Sequence, residues 1–324
     1  MEIFKVSSSP HIRGKLSTKN IMRDVVIALF PCVIAGVIVF GLRALIMVLL
    51  SVISCVGFEF LWNKINKKEN TTDDYSACVT GVLLALVLPV NSPLWVVVAG
   101  GFFAIIICKQ LFGGLGQNFI NPALGARAFI LASWPVAATV FVKPFTKLPL
   151  FKTPVITDAI SSATPLALAK VQGAETAWNL LFVGNIPGCI GETSAIAILI
   201  GAIYLVARRV ITLYAPLSYI LSTALFGWMM GYNGLFTGDA VFSVLSGGVL
   251  FASFFMITDY VTTPASKKGM IVAGIIAGFL TVLIRVRGGY PEGVTYAILL
   301  VNILTPVIDK YIVPKKYGRV AKNG

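Results

Sequence analysis

Charge is scarce in this sequence. Only 12% of its 324 residues are Asp, Glu, Lys or Arg, against 57% hydrophobic, and a soluble domain carries nearer one quarter charged residues. Histidine is scarcer still, with His11 the single example. The five cysteines (Cys32, Cys55, Cys78, Cys108 and Cys189) form no C-x-x-C pair, and none has a histidine nearby. That argues against a zinc or iron–sulfur site built from this chain alone, and against a disulfide framework, so no metal site is expected. Four of the five fall inside apolar stretches, where a free thiol behaves as a small hydrophobe. The chain opens on MEIFKVSSSPHIRGKLSTKN, which is polar and basic. It lacks the short apolar stretch and cleavage site of a removable signal peptide, and none is expected.

Long apolar stretches are what the sequence has instead. Ten can be read, at roughly 24–42, 44–62, 77–90, 94–111, 122–142, 193–207, 211–230, 241–257, 270–285 and 294–312. About 20 apolar residues cross a bilayer core as a helix, and ten such stretches are too many for buried core helices. The expected fold is an all-α integral membrane protein with about ten transmembrane helices, one membrane domain over 1–324. The net charge of +13 does not signal nucleic acid, because the basic residues sit in short loops rather than on one face. With the N-terminal segment 1–23 inside, nineteen Lys and Arg fall on the inner side and seven on the outer. The positive-inside rule then places both termini in the cytoplasm. The one long connection, 143–192, falls outside, and loops of that length are often functional.

The chain also shows weak self-similarity. Lys109-Gln-Leu-Phe-Gly113-Gly114 precedes the fifth stretch and Arg285-Val-Arg-Gly288-Gly289 the tenth; Thr80-Gly-Val-Leu is echoed by Gly247-Gly-Val-Leu. Five spans per half would set the halves in opposite orientations, the inverted repeat of transporters, with sites at the midplane between them. The plainer alternative is that Gly-Gly pairs are common at helix ends.

Few residues carry chemistry. Asp158-Ala-Ile-Ser161-Ser162-Ala163-Thr164-Pro165-Leu166 lies in the long loop. By spacing alone it is a polar turn before a short helix, with a hydroxyl residue as cap and Pro at the first helical position. Glu59, Asp259 and Asp309 fall within or at the ends of apolar stretches, where ionisable groups are costly and usually functional. Headgroup-level placement is the competing account. Phe251 and Phe255 are spaced i, i+4 and share a helix face, which suits core or lipid packing as well as a constriction. Two Gly-rich segments, Gly113–Asn121 and Gly288–Gly293, allow close backbone approach but match no nucleotide-binding pattern. Arg127, Arg285 and Arg287 are candidates to hold a phosphate or to pair with the buried acids.

The segment DAISSATPLA resembles the flavinylation motif of a family that contains the D subunit of the Rnf electron-transport complex and the B subunit of the sodium-pumping NADH:quinone reductase. SSSPHI at 7–12, TGVLLALVLP at 80–89, GGLGQNFINPA at 113–123, CIGETSAIAILIGAIYL at 189–205, MITDYVTTP at 256–264 and IRVRGGYPEGVTYAILLVN at 284–302 resemble further family blocks in the same order. The start close to SSSPHI favours the Rnf member; Ser162 replaces the more usual Gly. The resemblance implies FMN held by a phosphoester on Thr164, with Asp158, Ser161, Ser162 and Ala163 around it, and a noncovalent riboflavin in the helical core. It also implies an ion path, for Na⁺ or H⁺, past Asp259 and Asp309, narrowed by Phe251 and Phe255, to which the sequence adds Glu59. The expected setting is the bacterial inner membrane, with other complex subunits and the lipid bilayer as partners and ferredoxin and NAD sites on other chains. A quinone-reductase subunit, or a flavin-free channel or secondary transporter, are the alternatives.

Overall fold

The computed structural model describes residues 17–68, 70–146, 148–151, 162–173, 176–232 and 234–313. Among them, helix α1 (Thr18–Phe40) is capped by Ser17, whose hydroxyl accepts from the Asn20 amide. It therefore begins inside the segment expected to be a cytoplasmic tail. Gly41 alone joins it to α2 (Leu42–Ile65) at φ +78°, a left-handed turn that favours glycine. Then follow α3 (Ser76–Leu86), α4 (Leu94–Phe102) with a π-helical continuation over Phe103–Gln110, α5 (Pro122–Ser133) and α6 (Pro135–Thr139). The long connection holds two short helices, α7 (Pro165–Gln172) and α8 (Trp178–Val183). The second half contains α9 (Ala195–Ala207), α10 (Tyr214–Met229), α11 (Ala240–Leu245), α12 (Val249–Phe255), α13 (Lys267–Arg287) and α14 (Val294–Tyr311). A two-residue antiparallel pair, β1 (Met230–Gly231) with β2 (Gly234–Leu235), closes the turn after α10.

A helix occupies part of each apolar stretch read from the sequence, but four are long and apolar enough to cross a bilayer alone: α1, α2, α13 and α14. The multi-pass membrane architecture stands on these and on the shorter apolar helices α3, α4 with its continuation, α5 and α9. The eighth stretch is broken at Ser246–Gly248 into α11 and α12, and the fifth at Trp134 into α5 and α6.

Packing is made within each half and along two seams. In the first half α2 lies on α3 and α4, and in the second α10 lies on α12 and α13. Between the halves α1 packs on α9 and α5 on α14. The α1–α9 seam is tight at Gly201, where an added Cβ would lie 2.1 Å from the Ala28 carbonyl oxygen and 2.9 Å from the Phe255 ring. Outward faces are apolar, as on α1, where Phe30, Ile34 and Ile38 are exposed.

Two arginines counted on the outer side from the sequence are interior. Arg43 is 1% exposed; its Nε donates to the Val90 carbonyl at 2.9 Å and a terminal nitrogen to Pro149 at 2.8 Å. Arg285 donates to the carbonyls of Ser243 and Ser246. Neither is a loop charge of the kind that sets orientation.

Candidate functional site

The geometry around Thr164 follows from local rules. Thr164 is the N-cap of α7: its Oγ1 accepts from the Ala167 amide at 3.2 Å, and Pro165 takes the first helical position. This is the capped turn the spacing predicts. Thr164 is half-buried and Ala163 exposed, and the Ser162 amide donates to the Phe141 carbonyl at 3.0 Å. Asp158 and Ser161 lie outside the described residues. From α7, Lys170 reaches the Gly288 carbonyl before α14; burial lowers its pKa.

Two cavities flank α7, and Leu166 lines both. The smaller, about 40 Å³, is bordered by Thr164, Pro165, Glu192, Thr193 and Glu292. The larger, about 500 Å³, is walled by Ala169 of α7 and the capping Gly173 that follows it, by Trp178, Tyr232 and Phe242, and by Arg285. Ligand pockets run from about 300 to 1,000 Å³ and combine apolar walls with a few polar groups. The second has that size and lining; the first has room for little more than water. The Nε of Arg285 is buried without a hydrogen-bond partner among the described residues.

Behind the small cavity lies a buried charge cluster. Arg127 of α5 donates to Glu192 at 2.8 Å and to Glu292 at 2.5 Å, and touches the Cys189 sulfur at 3.5 Å. Glu292 also accepts from the Gly248 amide at the start of α12 at 2.7 Å. Arg127, a candidate partner for buried acids by sequence, is one. Glu192 and Glu292 are not marked out by the sequence, although they lie in the family-like segments G-E-T and P-E-G. Each is a lone acid in a Gly-containing loop, and no spacing shows that two loops a hundred residues apart converge on one guanidinium. Donor atoms of Cys189, Glu192 and Glu292 lie within 4.8 Å of one another, and Arg127 contacts all three residues.

At the opposite ends of the helices is a second cluster. Lys109 donates to both oxygens of Glu59 at 2.9 Å and to Ser76 at 2.6 Å. Glu59 also accepts from Thr71 at 2.8 Å and Gln110 at 3.0 Å. Glu59 is 0% exposed, so its charge is matched by Lys109 and its oxygens by donors. Asp259 borders a cavity of about 80 Å³ with Phe255, Lys109, Asn118 and Asn121. Phe251 and Phe255 are buried with ring centroids 5.2 Å apart, facing the core rather than lipid. Asp309 stands apart and accepts from the Ala265 amide at 3.0 Å. The structure thus gathers Asp259, Phe255 and, through Lys109, Glu59 around one cavity, and leaves Asp309, near the end of α14, held to the loop before α13.

Comparison with known proteins settles the family. The family described as "NQR2, RnfD, RnfE family" matches residues 5–318. The chain belongs to that family. It is 47% identical over 319 residues to the D subunit of the Na(+)-translocating ferredoxin:NAD(+) oxidoreductase complex of Acetobacterium woodii, covering 97% of this chain and 95% of that one. It is 42% identical to the D subunit of the proton-translocating ferredoxin:NAD(+) oxidoreductase complex of Clostridium ljungdahlii, covering 98% and 96%. It is 36% identical to the D subunit of the ion-translocating oxidoreductase complex of Alcanivorax borkumensis, covering 98% and 97%. Coverage near the full length of both chains aligns this NQR2, RnfD, RnfE family member with its relatives from end to end, both membrane halves and the α7 region included.

Proposed function

We propose that this chain is the D subunit of an Rnf-type complex, a bacterial ion-translocating ferredoxin:NAD⁺ oxidoreductase. The observation that carries the reading is the near-full-length identity to two such subunits. Ferredoxin and NAD⁺ are the couple in those relatives' names; this chain supplies a membrane relay, and catalysis requires the other subunits. One of those relatives is named for Na⁺ and the other for protons, so the family name leaves the coupling ion open.

The proposed relay is FMN joined by phosphoester to Thr164. The residues fit. The half-buried hydroxyl lies at the mouth of α7, and an oxygen that is esterified still accepts from the Ala167 amide. Thr164 borders the small cavity, whose two carboxylates are held by Arg127, whereas the large one offers aromatic walls and the buried Arg285. Leu166, two residues from Thr164, opens onto the large cavity, which would hold the ring. The flavin ring supplies the redox chemistry; the protein orients it and shields it from water. A noncovalent riboflavin in the helical core belongs to the same reading.

The finer topology is proposed with it: about ten spans in two inverted halves, both termini cytoplasmic and the connection 143–192 outside. Its support is the packing pattern, in which the two seams join positions equivalent under the repeat, first with sixth span and fifth with tenth. The ion path would run past Phe251 and Phe255 toward Asp259, with Asp309 near its inner end. Glu59 would join it only by giving up Lys109. The test of the site is Thr164→Val, which keeps the shape and removes the hydroxyl. In-gel flavin fluorescence and the mass increment of FMN should vanish while the chain still inserts. Fluorescence that survives the change would move the attachment to another residue.

A further inference from the structure

A charged patch unrelated to the flavin reading lies where α1 enters the bilayer beside the end of α9. Asp24 of α1 is 5% exposed and accepts from the Tyr204 hydroxyl at 3.3 Å and from Nε of Arg208 at 3.2 Å. That contact fixes the guanidinium by its inner nitrogen. The two terminal nitrogens of Arg208 have no partner among the described residues, and the side chain is 54% exposed. Arg23 and Arg209, likewise exposed and unpaired among the described residues, line the same cavity of about 240 Å³. Arg209 adopts φ +56°, a left-handed conformation uncommon in a non-glycine residue, which ends α9 sharply at the cavity rim. Three arginines against one aspartate leave the cavity with two uncompensated positive charges.

The surface just below is membrane-facing and apolar. Ile27 and Phe30 of α1, one and two turns from Arg23, are 42% and 56% exposed, and Ile203 of α9 is 68% exposed. These two helices pack on each other, so a guanidinium-rimmed cavity is continuous with a strip that acyl chains can cover. We propose that this cavity binds the phosphate of an anionic phospholipid, with the terminal nitrogens of Arg208 presented as a fork to the phosphate oxygens and Arg23 and Arg209 flanking it. A planar guanidinium held by Nε is preorganised for bidentate phosphate contact, and basic pockets between membrane helices are recognised hosts of acidic headgroups. The proposal rests on the multi-pass fold and not on the cofactor.

The test is native mass spectrometry of the purified, delipidated complex titrated with phosphatidylglycerol or phosphatidylcholine. Wild type should retain phosphatidylglycerol saturably and in preference to phosphatidylcholine. Arg208→Gln/Arg209→Gln should weaken that binding roughly thirtyfold, at the usual energy for each of two basic residues near a charged membrane surface. Arg23→Gln, which leaves the Asp24–Arg208 contact intact, should weaken it by a smaller factor. Equal retention of both lipids, or unchanged phosphatidylglycerol binding in both variants, would overturn the proposal. Displacement by millimolar inorganic phosphate would overturn it in favour of a soluble-anion site. A benzophenone side chain at position 209 should yield lipid adducts; adducts to another subunit would overturn it in favour of a protein interface.

Discussion

Replacing Lys109 with Met strands the Glu59 carboxylate. In the native protein that carboxylate is fully buried, contacts the Lys109 ammonium at 2.9 Å through both oxygens and takes further hydrogen bonds from Thr71 and Gln110. Met preserves most of the side-chain volume, so the loss is electrostatic. Removing one partner of a buried pair costs about 3–5 kcal/mol, whereas removing both charges together is often near neutral. At about 2 °C per kcal/mol, the small-shift end of the scale for larger chains, the single change should lower the unfolding midpoint by roughly 6–10 °C. The assay can use the chain's own thiols: Cys32, Cys55, Cys108 and Cys189 are free and buried, and a thiol-reactive fluorogenic dye reports their exposure on heating. Glu59→Gln/Lys109→Met should regain most of the lost stability. A single variant as stable as wild type, or a double variant no better than the single, would refute the assignment of this pair as a matched structural charge. The outcome also bears on ion movement, because a carboxylate whose removal with Lys109 is harmless to pumping is not in the path.

Gly201→Ala should destabilise the chain by about 1–3 kcal/mol, the usual range for overpacking, because its Cβ would meet the Ala28 carbonyl at 2.1 Å; a midpoint unchanged in the same dye assay would show that the seam yields. Asp259→Asn and Asp309→Asn should slow ion-coupled electron transfer in vesicles while in-gel flavin fluorescence persists, and wild-type pumping would remove them from the path. A cysteine at Val171, which is 81% exposed, should react with a membrane-impermeant maleimide in intact cells if the long connection is outside. Labelling only after the cells are opened would invert the topology. Loss of fluorescence in Thr164→Val completes the set.

The sequence showed the apolar stretches because hydropathy is a local property, and it showed the Thr164 cap because capping depends on residues within one turn. Where it failed, the deciding partner was distant in the chain. Arg43 looks like a loop charge, since nothing near it in sequence reveals carbonyls at Val90 and Pro149 waiting for its guanidinium. Glu192 and Glu292 likewise acquire meaning only when α5 brings Arg127 between them. The helix boundaries drifted for a related reason. Backbone groups freed at Ser246–Gly248 are taken up by side chains of other elements, as when Glu292 accepts from Gly248 and Arg285 donates to Ser246, and breaks supported in this way carry no proline signal.

The shortness of α3 and α9 bears on how the protein is made. Eleven and thirteen residues rise only about 17 and 20 Å as helices, against a hydrocarbon core of about 30 Å. Neither can settle in lipid as an independent segment leaving the translocon, because its ends would strand backbone groups in hydrocarbon. The long helix α2 precedes α3 and packs on it, and α1, made earlier still, packs on α9. Biogenesis would then proceed by deferred insertion, with each short segment held at the translocon until a long neighbour offers a protein surface to cover its ends. A nascent chain arrested after α8 would have α5 in place but lack α14, its partner across the seam, and would be the form most exposed to membrane quality-control proteases.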